Sequence, residues 1–295
     1  MTNVVWLSFH EDVLARGYWD DALLEDLLSY GEYKHFYTTA DVPEGEGAIV
    51  KINGRTHTSP EDIEKINEEI NRLPWVLFME TGDEESLFPW REIKHPLMKV
   101  WIMLPKLNMH DDVAFRMPNG YTTDTRKYLR EIGRKERDID VSFVGQKNHP
   151  RRDQCVEALD GLQGYSKFRV ATDAFGKLEL NREEYMDILA RSKVVLCPSG
   201  VESPDNFRLY EALEAGCVPI VDAFSTKHQA PGFWGIVLGD DLPFPIVNYW
   251  DELPAVLPEL IANWTEISNK CYAWWQFFKR NMRVRLEDDV KELAR

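Results

Sequence analysis

Residues 185–222 constrain the chain more than any other stretch. YMDILARSKVVLCPSGVESPDNFRLYEALEAGCVPIVD reads as helix, buried strand, polar loop, helix and second buried strand. Lys193 to Cys197 and Cys217 to Val221 are apolar runs too short for helices, and they suit strands of a parallel sheet covered on both faces. Asp205 is expected to cap the helix between them and Gly216 to end it, because a side-chain acceptor suits the first position and a residue at ease with positive φ suits the last. The result is one βαβ crossover. Its loop and helix N-terminus lie at the carboxyl end of the first strand, the edge where open α/β sheets bind ligands.

A helix start collects unpaired N–H groups and the positive end of the macrodipole, so an anion is its natural ligand. Ser199, Gly200 and Ser203 are small enough for a ligand to approach the backbone. Arg208 falls in the first turn and Glu211 three residues later, on the same face. A guanidinium there can fork onto a diphosphate, and the carboxylate can hold the two hydroxyls of a ribose. The same spacing also fits an ordinary ion pair on a solvated helix face.

RSKVVLCPSG followed by R-L-Y-E-A-L-x-A-G-C-V-P-I-V resembles the signature of exostosin-like glycosyltransferases, in which a strand ending in CPSG or CPRG precedes R-x-x-E-A-hydrophobic-x-x-G-C-V-P-V. The similarity is dense from Tyr185 to Val221 and loose elsewhere. It implies an α/β chain with the two Rossmann-like domains of the GT-B fold facing a cleft. It also implies inverting transfer of a sugar from a UDP-sugar donor to a hydroxyl acceptor, with Arg208 on the diphosphate and Glu211 on the ribose. The serine usually found two places before the arginine is Asn206 here, which keeps a hydrogen-bonding group beside the donor. No metal or other cofactor is implied, since the arginine, the helix dipole and nearby N–H groups can stabilise the departing diphosphate.

A chain of 295 residues exceeds one ordinary core, and two domains of about 130 to 150 residues are the natural division. Hydrophobic residues make up 44%, enough for packed globular domains. No run approaches the ~20 apolar residues of a membrane span, and MTNVVWLSFHED lacks a basic segment and a cleavage site. A soluble, cytoplasmic chain is expected. Cys155, Cys197, Cys217 and Cys271 have no metal-ligand spacing and read as buried free thiols. The net charge of −15 opposes a general affinity for nucleic acid or anionic membranes.

The first domain, residues 1–137, opens with an apolar run from Val4 to Phe9 and a helix from Asp21 to Ser29. Strands are expected at Tyr33 to Thr38, Ala48 to Ile52, Trp75 to Thr81 and Val100 to Leu104. A helix starting at Ser59 and Pro60 carries Ile63, Ile66, Ile70 and Leu73 on one face. The loop after the first strand carries His10, Glu11 and Asp12, and the strand ending at Thr81 delivers Glu80, Gly82, Asp83, Glu84 and Glu85 to the same edge. A carboxylate or imidazole there can take a hydroxyl proton from the acceptor. Asp83 is the first choice as this base, behind a glycine that lets the chain turn, with Glu80 and His10 behind it. A solvated acidic turn is the plain alternative.

A helix at Thr125 to Gly133 and the charged RKERD at 134–138 mark the expected boundary. The second domain, 138–267, begins with the strand of DVSFVGQKNHPRR, where Gly145 and the loop after it are placed for phosphate and Arg151 or Arg152 adds charge. Further strands are expected at Phe168 to Ala171 and Gly235 to Leu238, with the loop TDAFG after the former and a helix at Leu253 to Trp264. Residues 268–295 form a terminal helix crowded with Tyr272, Trp274, Trp275, Phe277 and Phe278. Such a surface asks for a partner, either the first domain or a second subunit of a homodimer. Three activities fit the fold: the transferase, whose acceptor is a glycan, a small molecule or a hydroxymethylated pyrimidine in phage DNA; a nucleotide-sugar epimerase or hydrolase; and a non-catalytic nucleotide-sugar-binding module.

Overall fold

The computed structural model describes residues 1–10, 16–17, 21–83, 87–103, 114–172, 180–229 and 231–295. The chain is α/β and divides into two compact units, residues 1–119 with 279–295, and residues 120–278. Each holds one all-parallel sheet, so the chain carries the pair of doubly wound units of which a GT-B fold is made.

The first unit has strands β1 (Thr2–Trp6), β2 (Tyr33–Phe36), β3 (Ala48–Asn53), β4 (Val76–Thr81), β5 (Met98–Met103) and β6 (Ala114–Met117), in the order β2-β1-β3-β4-β5-β6. Every residue of β3 and β4 is buried, which is why their sequences are nearly continuous apolar runs. Helix α1 (Ala22–Leu28) follows β1, and α2 (Pro60–Ile70) joins β3 to β4. The start of α2 is closed by the Ser59 side chain, which accepts from the Asp62 N–H, with Pro60 at the first helical position. Such a cap typically contributes ~1 kcal/mol. Ile63, Ile66 and Ile70 then pack into the core with Val50, Phe78 and Val100.

The second unit has α3 (Thr125–Ile132), β7 (Ile139–Gln146), α4 (Pro150–Gly161), β8 (Lys167–Thr172), α5 (Arg182–Arg191), β9 (Ser192–Cys197), α6 (Phe207–Glu214), β10 (Val218–Asp222), α7 (Phe233–Val237), β11 (Ile246–Val247) and α8 (Leu253–Ala262). Its strands run β11-β10-β9-β7-β8. Both sheets therefore place their first strand between the second and the third, and the chain reverses direction across the sheet between β1 and β3, and again between β7 and β9. The carboxyl ends at such a reversal are the ligand-binding positions of open α/β sheets.

Several expectations are corrected. The apolar run at Gly235 to Leu238 is part of α7: Phe233, Trp234 and Val237 are buried at helical spacing, and Trp234 Nε1 donates to Asp222 O at 2.7 Å. The residue at the N-cap position of α6 is Asn206 rather than Asp205, which is buried one place earlier, and the Asn206 side chain makes no capping bond. Strands β6 and β11 have no apolar run to announce them, one being half-exposed and the other two residues long. The units part at Asn119–Gly120, ahead of α3, whereas the charged stretch at 134–138 was expected to part them. That stretch is fastened to the second unit. Arg137 donates to Leu189 O at 2.9 Å, Ser192 O at 2.6 Å and Ala215 O at 2.5 Å, closing the carbonyl ends of α5 and α6.

Helix α9 (Trp264–Leu293) starts earlier than expected, and its residues from 279 onward belong to the first unit. There Lys99 Nζ and Trp101 Nε1 on β5 donate to Asp289 at 2.7 and 2.9 Å, and Lys279 pairs with Asp26 on α1 at 3.2 Å. Of the helix aromatics, Trp275 is fully buried, whereas Phe277 is 62% exposed. All four cysteines are buried free thiols. No described helix is long and apolar enough to cross a membrane. We predict that a chain ended at Phe278 loses cooperative melting of the first unit or becomes insoluble, because Trp101 and Lys99 lose their bonds to Asp289 and Asp26 loses its pair with Lys279. A soluble truncation with an unchanged melting temperature would contradict this.

Candidate functional site

The site of the second unit is built at the reversal between β7 and β9. Proline at 198 and the small residues after it carry the chain off β9 into a loop that is held from three sides. The Ser199 N–H donates to Asp222 Oδ2 at 2.8 Å, and Ser199 O accepts from His149 Nε2 at 3.0 Å and Arg152 Nε at 3.1 Å. The Gly200 N–H closes a turn onto Ser203 O at 2.9 Å. Burial, reinforced by Arg152, lowers His149 to about 4, so the ring is neutral and donates from Nε2. Asn206 stands at the start of α6 without capping it: its amide donates backward, to Pro198 O at 3.2 Å and to Cys197 O and Pro204 O at 3.4 Å. The Asn206 side chain makes no capping bond to the first turn of α6.

Arg208, in the first turn of α6, reaches across to β7. Its Nε donates to Val144 O at 2.8 Å, and its guanidinium carbon lies 5.1 Å from the centre of the Phe143 ring. A Cβ on Gly145 would stand 2.1 Å from Arg208 Nη2, so this strand glycine is what admits the guanidinium. Arg208 has no carboxylate within ion-pair distance among the described residues, and its Nη1 is buried without a hydrogen-bond partner. Ser199 Oγ and Asn206 Oδ1 are likewise buried and unpartnered. A half-buried cation, a hydroxyl and the start of α6 therefore meet at one sheet edge, a set that an anion with oxygen acceptors would satisfy.

The other expected donor-side residues are occupied. Arg151 forms an ion pair with Asp222 and donates to Asn248 O at 2.9 Å, so it is held by the protein and adds no free charge. Burial raises Asp222 in spite of Arg151 and the Ser199 N–H. Gly145 lies inside β7, opposite Ala171, and serves Arg208 rather than a phosphate directly. Glu211 is 3% exposed and accepts from Thr122 Oγ1 at 2.5 Å, Arg182 Nη2 at 2.8 Å and Tyr185 Oη at 2.8 Å. Burial alone would raise its pKa, but Arg182, Thr122 and Tyr185 outweigh burial and hold it below the usual carboxylate range. Its oxygens are thus engaged by α5 and by the segment before α3, and a ribose would have to displace one of these donors. Thr122, Arg182 and Tyr185 were not singled out in the sequence, because nothing in their spacing points to Glu211.

In the first unit, His10 lies beyond the carboxyl end of β1 and His57 beyond that of β3, so both stand at the other reversal. His10 Nε2 is 3.4 Å from Asp62 Oδ1, and its ring centre is 4.9 Å from that of His57. Asp83 and Glu80 are both 3% exposed. Asp83 Oδ2 accepts the Phe88 N–H at 2.7 Å, and Glu80 Oε1 accepts the Asp83 N–H at 3.2 Å. These two carboxylates, of which Asp83 was the first choice as base, take part in the turn after β4 and are shielded from solvent. Glu11, Asp12, Glu84, Glu85 and most of the TDAFG loop lie outside the described residues. Among the described residues no group of three His, Cys, Asp or Glu side chains is placed to hold a metal ion.

The model of the RXYLT1 C-terminal domain family matches residues 142–293, which include every donor-side residue named above. Among solved structures, one titled α1,3-fucosyltransferase is 11% identical, with a TM-score of 0.45 over 95% of this chain and 90% of that one. An α1,3-fucosyltransferase with GDP-fucose is 12% identical, with a TM-score of 0.44 over 94% and 90%. No curated protein matches the chain.

Folded and unfolded states bind protons to Glu211 differently, and the sign is fixed by its lowered folded value. Its contribution to stability is complete above the unfolded value of ~4.3 and is lost as pH falls through the folded one. Glu211→Gln is expected to cost ~2–3 kcal/mol at neutral pH, less than the 3–5 typical of a broken buried pair, because the Arg182 side chain keeps 30% exposure. Melting curves of wild type and variant should converge as the pH is lowered. A gap that widens in acid would contradict the assignment.

Proposed function

The chain belongs to the RXYLT1 C-terminal domain family and is a glycosyltransferase, and we propose from that premise that it moves a sugar from a nucleoside-diphosphate donor to a hydroxyl acceptor with inversion. The observation that carries this reading is Arg208: a cation wedged between β7 and the start of α6, with no carboxylate in ion-pair distance among the described residues. A charged group kept half-buried without a counter-ion is costly, and a diphosphate supplies the missing charge.

The chemistry follows from this placement. As the bond between the anomeric carbon and the diphosphate oxygen breaks, negative charge builds on the leaving group. Arg208, the α6 dipole and the first-turn N–H groups already point at that charge and need little rearrangement. Ser199 Oγ and Asn206 Oδ1 can complete the ligand's hydrogen bonds, one as donor and one as acceptor. We take UDP as the carrier on the resemblance of residues 185–221, with GDP as the alternative that a binding assay separates. The acceptor is a hydroxyl compound, and the donor side belongs to the second unit.

Arg208→Ala is expected to weaken UDP binding by ~1.5–3 kcal/mol, the range for a charge-assisted hydrogen bond. Arg208→Lys should recover part of the loss, because it restores the charge without the planar fork. Gly145→Ala is an independent check: it leaves Arg208 in the sequence but fills the space that the guanidinium occupies. It should lower UDP affinity in the same direction while the fold persists. Calorimetry showing unchanged affinity for UDP and GDP in a folded Arg208→Ala variant would overturn the diphosphate site.

A further inference from the structure

Three successive carbonyls where β9 ends are each taken by a side-chain donor of the second unit. Cys197 O and Pro198 O accept from the Asn206 amide at 3.4 and 3.2 Å, and Ser199 O accepts from His149 Nε2 at 3.0 Å and Arg152 Nε at 3.1 Å. His149 stands at the N-cap position of α4 and Asn206 at that of α6, yet neither side chain makes a capping bond. Both serve the loop after β9 instead. A carbonyl left open there would present its lone pairs to an arriving anion, so engaging all three suits an anion site.

Ser199 is the residue that these bonds fix most closely. Its N–H donates to Asp222 Oδ2 at 2.8 Å while its carbonyl takes two donors, so the peptide groups on both sides of it are held. Its hydroxyl is buried without a partner. Asp222, His149 and Arg152 all reach this residue and none reaches Oγ, which leaves the hydroxyl as the group a ligand would satisfy. His149 joins the loop before α4 to the loop after β9, 50 residues away. A carbonyl can only accept, so Nε2 carries the proton, and Nδ1 is left to accept from the Thr226 hydroxyl 3.4 Å away. With burial lowering His149 to about 4, the ring is neutral at neutral pH and adds no charge to that of Arg208. The rest of the loop is fastened as well: the Lys227 N–H donates to Val201 O and Ser225 Oγ to Glu202 O, both at 3.0 Å.

We propose that Ser199 Oγ donates to the diphosphate and that His149 is its positioning residue, holding the Ser199 peptide so that the hydroxyl is in place before the ligand arrives. The assignment rests on the nucleotide-sugar reading. His149 keeps its proton throughout, so its effect falls on the affinity of the site and not on a proton transfer.

The test is calorimetry of UDP and GDP with the full chain, with melting temperatures measured alongside. Ser199→Ala should bind UDP ~10-fold more weakly, the low end for a hydrogen bond to a charged group. His149→Gln and His149→Asn then separate position from polarity, because the Gln amide nitrogen reaches the place of Nε2 and keeps the bond to Ser199 O, whereas the shorter Asn amide stops near Nδ1. The Gln variant should stay within about threefold of wild type and the Asn variant should lose ~5-fold or more. In a Ser199→Ala background His149→Asn should cost no further affinity, since groups acting through one contact are not additive. A histidine that only supports the fold predicts an equal loss in both backgrounds. That equal loss, a Gln variant no better than Asn, or Ser199→Ala within about twofold of wild type would each overturn the assignment. Should His149→Asn not fold, the other two variants still decide: weak binding by His149→Gln or unchanged binding by Ser199→Ala overturns it. Arg208→Ala in the same assay keeps the two readings apart. If it loses affinity while Ser199→Ala does not, only the Ser199 and His149 roles fail; if the wild type binds neither UDP nor GDP, the donor reading fails and these roles fall with it.

Discussion

Arg208 is a cation fastened at one end and uncompensated at the other, and the second unit is arranged around that fact. The hydrogen bond from Nε to Val144 O ties α6 to β7, the strand on the far side of the sheet reversal. Gly145 leaves the space, the Phe143 ring lies beneath, and Asn206 gives its amide to the preceding loop instead of to the helix start. Each of these choices gives up something that an inert fold would keep, such as a strand side chain or a helix cap. Together they hold a positive group at the sheet edge where the proposed diphosphate would leave, and a charge already in place needs no reorganisation at the moment of reaction.

The two sheets share one strand order, yet their reversal points differ in chemistry. That of the second unit gathers a cation, a buried hydroxyl and the start of α6. That of the first gathers two imidazoles and a carboxylate. The first set suits an anion, and the second is able to exchange a proton. The doubly wound scaffold explains why such groups cluster at the strand ends, but the side chains there, and not the scaffold, determine what is done.

The buried strands were legible in the sequence because β3, β4, β9 and β10 are covered on both faces and must be nearly continuous apolar runs. The start of α2 was legible from Ser59 and Pro60, whose roles are local. The place of Arg208 was legible because one crossover fixes where the first turn of its helix must lie. What was not legible depends on partners distant in the chain. Glu211 was expected to face a ribose by its spacing from Arg208, whereas its oxygens are taken by residues 89, 29 and 26 positions away. Gly145 was read as a loop residue near phosphate, but its use depends on an arginine whose carbonyl partner is 64 residues from it. Asp83 followed an apolar strand and a glycine, a local pattern that gives no hint of the Phe88 N–H that its carboxylate accepts.

The central claim is that the uncompensated guanidinium is a diphosphate receptor. A crystal structure of the chain with UDP tests it most directly. The account predicts diphosphate oxygens within hydrogen-bonding distance of the Arg208 guanidinium and of the first-turn N–H groups of α6, beyond the carboxyl ends of β7 and β9, with the Nε bond to Val144 O kept. UDP bound elsewhere with Arg208 unmoved, or a carboxylate from the protein filling that place in the complex, would contradict it.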